Sequence, residues 1–147
     1  SGADAVRSMR DERDREIGAV SLVLDASAAV ELVLGRPGLA RLLLGEELHV
    51  PAHFDVEVVA ALRGVQIRGE ASAEDVERAT NAFRQLVVVR HWATLLVDRA
   101  WELRDAITIQ DGAYVALAEG LGCALVTTDV RLERSASGPV PIVTPDS

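Results

Sequence analysis

Four carboxylates occupy places where a folding chain has little use for them. Asp25 ends the apolar run Val-Ser-Leu-Val-Leu, Glu57 lies inside an otherwise apolar helical stretch, Asp111 opens Gly-Ala-Tyr-Val-Ala-Leu-Ala, and Asp129 follows Ala-Leu-Val-Thr-Thr. Two of these acids terminate predicted parallel strands, and the carboxyl ends of strands in an open α/β sheet are where ligands and catalytic groups collect. Two unit charges about 4 Å apart repel by roughly 4 kcal/mol at an effective dielectric near 20. Four converging acids therefore call for protons or cations. Oxygen ligands with no imidazole or thiolate among them favour Mg²⁺ or Mn²⁺ over zinc.

Each acid also has an ordinary structural role open to it. Asp25 and Asp129 are candidate N-caps of the segments that follow them. Asp111 stands three residues after Thr108, as the acid of a reciprocal capping box does. Glu57 falls at the edge of an apolar helical stripe, where it needs either an arginine partner or a function. His49, His53 and His91 are scattered along the chain and read as surface or packing residues.

The elements that position these acids alternate between strand and helix. Val20 to Leu24 reads as a buried strand, and Ser27 can cap a helix that Gly35 stops. Pro37 suits the start of a short helix ending at Gly45, and a strand over Leu48 to Val50 is closed by Pro51. A long helix from Ala52 to about Arg68 carries the stripe Phe54, Val58, Ala61, Leu62 and Val65. Ser72-Ala-Glu-Asp75 has the form of a capping box for a helix to about Leu86. A strand over Val87 to Arg90, a helix from Ala93 to Asp105, and a nearly all-apolar helix from Thr108 to Glu119 follow; the last must be buried. Ala124 to Thr127 and Val140 to Val143 read as further strands, with a helical turn over Val130 to Arg134 between them. The alternation predicts an α/β fold, three layers deep, with a central mostly parallel sheet.

Composition sets the bounds. A chain of 147 residues suits one domain, and 49% apolar residues with only 3% aromatics leave the core to Val, Leu, Ala and Ile. The domain is expected over residues 18–147. Residues 1–17 are charged throughout, unlike a signal peptide, and read as a mobile or loosely helical leader, with Met9 a candidate native start. Asp25 and Glu31 interrupt the one long apolar stretch, which excludes a membrane span there. The lone Cys123 reads as a small buried hydrophobe and fits a reducing, cytoplasmic setting.

The net charge of −8 speaks against non-specific nucleic-acid binding through a basic surface. All 15 basic residues are arginine, which offers a planar fork to phosphate oxygens. The absence of lysine excludes a Walker A loop and the phosphoaspartate enzymes that share a strand-end Asp.

Taken in order, Leu-Val-Leu-Asp25-Ala-Ser27-Ala-Ala-Val, the mid-helix Glu57 in Val-Glu-Val-Val-Ala-Ala-Leu, Asp111 before Tyr114-Val-Ala-Leu-Ala-Glu119, and Leu125-Val-Thr127-Thr-Asp129-Val-Arg-Leu resemble PIN-domain ribonucleases, specifically VapC-type toxins of bacterial toxin–antitoxin pairs. The resemblance covers about residues 20 to 145. It implies that Asp25, Glu57, Asp111 and Asp129 hold one or two Mg²⁺ or Mn²⁺ ions, that Ser27 and Thr127 support them through hydroxyl contacts, and that RNA is cut to leave a 5′-phosphate and a 3′-hydroxyl. Arg36, Arg41, Arg63, Arg68, Arg131 and Arg134 are the candidate phosphate contacts.

The resemblance also implies a cognate antitoxin, with a basic tail for the acidic crevice and an apolar helix for a groove near the first helices, and a homodimer or a toxin–antitoxin hetero-oligomer. The surplus of apolar residues at Leu32-Val33 and Leu42-Leu43-Leu44 fits such a groove. One departure is Gln110, where many members carry Tyr; Gly112 follows the acid. The rival expectation is a catalytically silent PIN-like module that binds RNA or a protein without cutting.

Overall fold

A computed structural model describes residues 20–136 and 138–145, so the leader expected over residues 1–17 lies outside the described residues. Five parallel strands form the sheet: β1 (Ser21–Leu24), β2 (Glu47–Pro51), β3 (Val89–His91), β4 (Ala124–Val126) and β5 (Ile142–Val143). Their order is β3-β2-β1-β4-β5, every neighbouring pair parallel. The chain thus builds outward from β1 in one direction and then returns to build in the other. That reversal places the switch point between β1 and β4, where side chains at the strand ends can face a common crevice.

Seven helices among the described residues connect and cover the sheet. They are α1 (Ala26–Val33), α2 (Leu39–Leu43), α3 (Phe54–Ile67), α4 (Ala73–Gln85), α5 (Val97–Glu102), α6 (Ile109–Leu121) and α7 (Val130–Ala136). Helices α1, α3 and α4 pack on one another, and α6 lies against β1 and β2. The expected stripe of α3 holds: Phe54, Val58, Leu62 and Val65 are buried. Val23, Leu24, Leu125 and Val126 at the sheet centre are wholly inaccessible, as strands covered on both faces require.

Helix α6 is buried nearly all round, from Gly112 to Ala118 and again at Gly120 and Leu121. Its one charged residue past the first turn, Glu119, takes both forks of Arg99 at 2.9 and 3.2 Å. Gly122 ends the helix in the left-handed region, at φ 65°.

Three details differ from the expected elements. Asp25, not Ser27, caps α1, accepting from the Ala28 N–H. The single helix expected over Ala93 to Asp105 is a 3-10 turn at Ala93–Leu95 followed by the short α5, because Leu96 leaves the helical path at φ −118°. His49 and His91, far apart in sequence, meet on adjacent strands: Glu47 accepts from His49 Nε2 at 2.6 Å, and His49 Nδ1 lies 2.8 Å from His91 Nε2. All three are buried, a polar string that primary sequence spacing did not reveal.

Gly112 sits where α6 passes closest to α5. A Cβ there would stand 3.0 Å from the Ala100 Cα and 3.1 Å from its Cβ, so the glycine lets α5 and α6 touch. Gly112→Ala is expected to destabilise the fold by about 1–3 kcal/mol through overpacking. Urea unfolding would show this as a lower midpoint at unchanged slope, with Gly138→Ala, whose Cβ would meet nothing within 4 Å, shifting it little.

Candidate functional site

The first strand delivers Asp25 to the switch point, where the carboxylate is only 4% exposed. Burying a charge this deeply demands donors, and three meet it. The Ala28 N–H donates to Oδ1 at 2.9 Å, Ser27 Oγ donates to the same oxygen at 2.7 Å, and Thr127 Oγ1 donates to Oδ2. Each hydroxyl has one hydrogen, so each spends it on Asp25 and offers lone pairs elsewhere. Ser27 Oγ accepts from the Thr128 N–H at 3.1 Å, and Thr127 Oγ1 accepts from the Asp129 N–H at 3.0 Å. The two hydroxyls thereby tie the end of β1 to the loop after β4. Burial still dominates, and pushes the Asp25 carboxyl up to about 6 against the pull of these donors, with Asp111 adding a smaller push.

Glu57 reaches the same cleft from the first turn of α3. Its Oε1 accepts from the Tyr114 hydroxyl at 2.7 Å, and His53 Nε2 stands 3.0 Å from the same oxygen, one helical turn away. Burial raises its pKa, but the contacts from His53 and Tyr114 and the His53 charge outweigh it, and the net direction is down. The phenol is pushed far up by burial and by Glu57, so Tyr114 stays a donor. Of the alternatives posed by sequence alone, the arginine partner is absent among the described residues: Tyr114 and His53 meet Glu57 instead.

Asp111 and Asp129 enter from the starts of α6 and α7. Thr108 Oγ1 accepts from the Asp111 N–H at 3.1 Å, and Asp129 Oδ1 accepts from the N–H groups of Arg131 and Leu132 at 2.9 and 3.4 Å. Burial raises the pKa of Asp111, the charges of Asp129 and Glu57 add to the rise, and Thr108 and Arg131 oppose it. At Asp25 and Asp129 capping and cleft-lining coincide, whereas Thr108 caps α6 and Asp111 lines the cleft from that helix's first turn.

Asp25, Ser27, Glu57, Asp111, Tyr114 and Asp129 line a single cleft of about 330 Å³. All four expected acids are brought together. Among the described residues no three acidic, histidine or cysteine side chains stand in an arrangement that would by itself hold a cation. The donor set is nonetheless hard oxygen in a cleft with room for water, which suits Mg²⁺, an ion that keeps several waters and uses few carboxylates.

The candidate arginines divide. Arg131 and Arg134 line a groove of about 560 Å³ that shares Asp111 and Asp129 with the cleft. Arg36 pairs with Glu31 at 3.3 Å beside a different hollow, Arg68 pairs with Glu70 at 2.6 Å, and Arg41 and Arg63 are exposed on α2 and α3 outside the cleft lining. Sequence reasoning passed over His53, Tyr114 and Arg104. His53 stands four residues before Glu57 and Tyr114 three after Asp111, spacings that put each on the face of its neighbouring acid.

Residues 22–137 match the sequence profile of the family described as PIN domain. The chain is 49% identical over 117 residues to the protein named ribonuclease VapC12 of Mycobacterium tuberculosis, covering 78% of this chain and 91% of that one. It is 40% identical over 121 residues to ribonuclease VapC9 of the same organism, covering 82% and 95%. The fold is shared with PAE2754 from Pyrobaculum aerophilum, at TM-score 0.64 and 22% identity over 88% of each chain. VapBC2 from Rickettsia felis, solved bound to a DNA fragment from its promoter, matches at TM-score 0.61 and 13% identity, over 85% of this chain and 98% of that one.

The raised Asp25 fixes a sign for stability. In the metal-free protein the native state holds a proton that the unfolded chain releases above the ordinary carboxyl value of 3.8, so this contribution is complete below that value and lost as pH rises through about 6. The linkage is worth about 3 kcal/mol at full ionisation. The unfolding free energy of Asp25→Asn minus that of the wild type should therefore grow by about that amount between pH 4 and 7. Urea titrations in chelator at several pH values read it directly, and a difference flat with pH would refute the raised carboxyl.

Proposed function

The chain belongs to the PIN-domain family, in its VapC ribonuclease branch, and from that footing we propose that it is a metal-dependent endoribonuclease acting as the toxin of a toxin–antitoxin pair. The observation that carries this reading is the convergence of Asp25, Glu57, Asp111 and Asp129 on one cleft at the sheet's switch point. These four residues would hold Mg²⁺ or Mn²⁺. When bound, the ion supplies charge neutralisation at the scissile phosphate and makes an attacking water more acidic.

The chain's own residues do the positioning. Ser27 and Thr127 fix both oxygens of Asp25, so its remaining lone pairs point in a set direction before any ligand arrives. Tyr114 and His53 hold one oxygen of Glu57 and keep the group ionised, ready to bind a cation or accept a proton from water. Asp111 and Asp129 stand on helix starts, where the N–H dipoles steady their negative charge. The high proton affinity of Asp25 and Asp111 means that a cation must displace protons, so activity should climb with pH through the range around 6.

The expected partner is an antitoxin, in a cytoplasmic complex. Leu44 is 81% exposed, and Val56, Val59 and Ile67 lie open along α3, apolar side chains of the kind that an amphipathic segment of the partner would cover. No helix among the described residues is long and apolar enough to cross a membrane.

Purified protein incubated with single-stranded RNA should cut it with Mg²⁺ or Mn²⁺ and stop in chelator. Asp25→Asn and Glu57→Gln should lower kcat by at least about 100-fold. Mn²⁺ should also raise the wild-type Tm, by about 2.7 kcal/mol of added stability at a hundredfold excess over Kd, and leave Asp25→Asn unmoved. Full cleavage by Asp25→Asn would overturn the assignment.

A further inference from the structure

The four acids repel the phosphodiester they are proposed to cut, so a polyanion must be led to them over a surface of opposite sign. The groove of about 560 Å³ between the 104–108 loop and α7 has that character. It shares Asp111 and Asp129 with the acidic cleft and is walled by Arg104, Arg131 and Arg134, with Asp105 as its further acid. Its volume is in the range that holds a small ligand such as one nucleotide.

The arginines of this wall are differently placed from most others. Arg36, Arg68, Arg90 and Arg99 are each bound to a carboxylate. Among the described residues Arg104 and Arg134 make no such pair, and Arg131 only grazes Asp129 at 3.8 Å. Arg104 is oriented all the same: it donates to the Trp101 carbonyl at 2.9 Å, and its guanidinium carbon sits 4.3 Å over the Trp101 ring. That indole is 60% exposed, so the stacked pair stands largely open to solvent. Arg104 lines the groove and is backed by that indole, so it offers the groove a flat, braced guanidinium, the kind of surface on which unpaired bases stack.

Resting on the nuclease reading, we propose that this groove is the subsite for the nucleotide next to the scissile phosphate in single-stranded RNA. Arg104, braced by Trp101, carries the base, and Arg131 and Arg134 take the backbone phosphate. Trp101 and Arg104 are then positioning residues for substrate, acting through KM and not through the chemical step.

The test uses the full chain and a labelled single-stranded oligoribonucleotide, with binding followed by fluorescence anisotropy in chelator and cleavage followed in Mn²⁺. Trp101→Ala and Arg104→Ala should weaken binding by roughly 5-fold or more and raise KM alike, with kcat within about twofold. Trp101→Phe should restore most of the loss. Arg134→Ala should flatten the salt dependence of binding by about 0.7 in log–log slope, the value for one phosphate contact on a single strand. Arg84→Ala, exposed on α4, should change nothing. A wild type that cuts RNA while Trp101→Ala and Arg104→Ala bind as it does would overturn the subsite and leave the nuclease reading standing. A wild type that neither binds nor cuts would overturn the nuclease reading, and the subsite with it.

Discussion

A carboxylate that is 4% exposed is several kcal/mol out of its element unless donors surround it, and the end of β1 is built around that need. Asp25 collects a backbone N–H from its own helix, a hydroxyl two residues on, and a hydroxyl from beyond β4. The last of these also receives the Asp129 N–H, so the same bond that satisfies Asp25 sets where the fourth acid stands. Break it, and both the crevice and the start of α7 lose their reference.

The cleft that results is a standing electrostatic load. Asp111 is pressed on by Asp129 and Glu57, and Asp25 by Asp111, while the nearest arginine offers only partial relief. Glu57 escapes the trend because Tyr114 and His53 meet it, which leaves one firmly ionised acid beside Asp25 and Asp111, which hold protons more readily. Environments that push like groups apart in pKa are how a single cleft acquires distinct roles. The domain accepts lower stability here in return for a site that is poised to take up positive charge.

Much of this was legible in the sequence, for local reasons. The Val and Leu runs ending in Asp25 and Asp129 announced strand ends, and the spacing of Phe54, Val58, Leu62 and Val65 announced the face of α3 that carries Glu57 at its edge. What stayed hidden depends on pairings across the fold. Tyr114 belongs to Glu57 across 57 positions and His49 to His91 across 42, and no spacing rule reaches so far. The close approach of Ala100 to Gly112 was hidden too, a feature of two helices and not of one. The choice between cap and site misled for a different reason, since at Asp25 and Asp129 they are the same residue.

The hydroxyl bridge from Thr127 to Asp25 spans 102 positions. On a ribosome adding roughly 5–20 residues per second, Asp25 and Glu57 emerge several seconds before Asp111, Thr127 and Asp129 do. The sheet has its own delay, because β4 must insert beside β1 across that long intervening chain before the two acidic halves face each other. The growing polypeptide therefore carries a divided cleft until β4 has been made, and whatever the cleft can do begins only after Asp129 has joined Asp25.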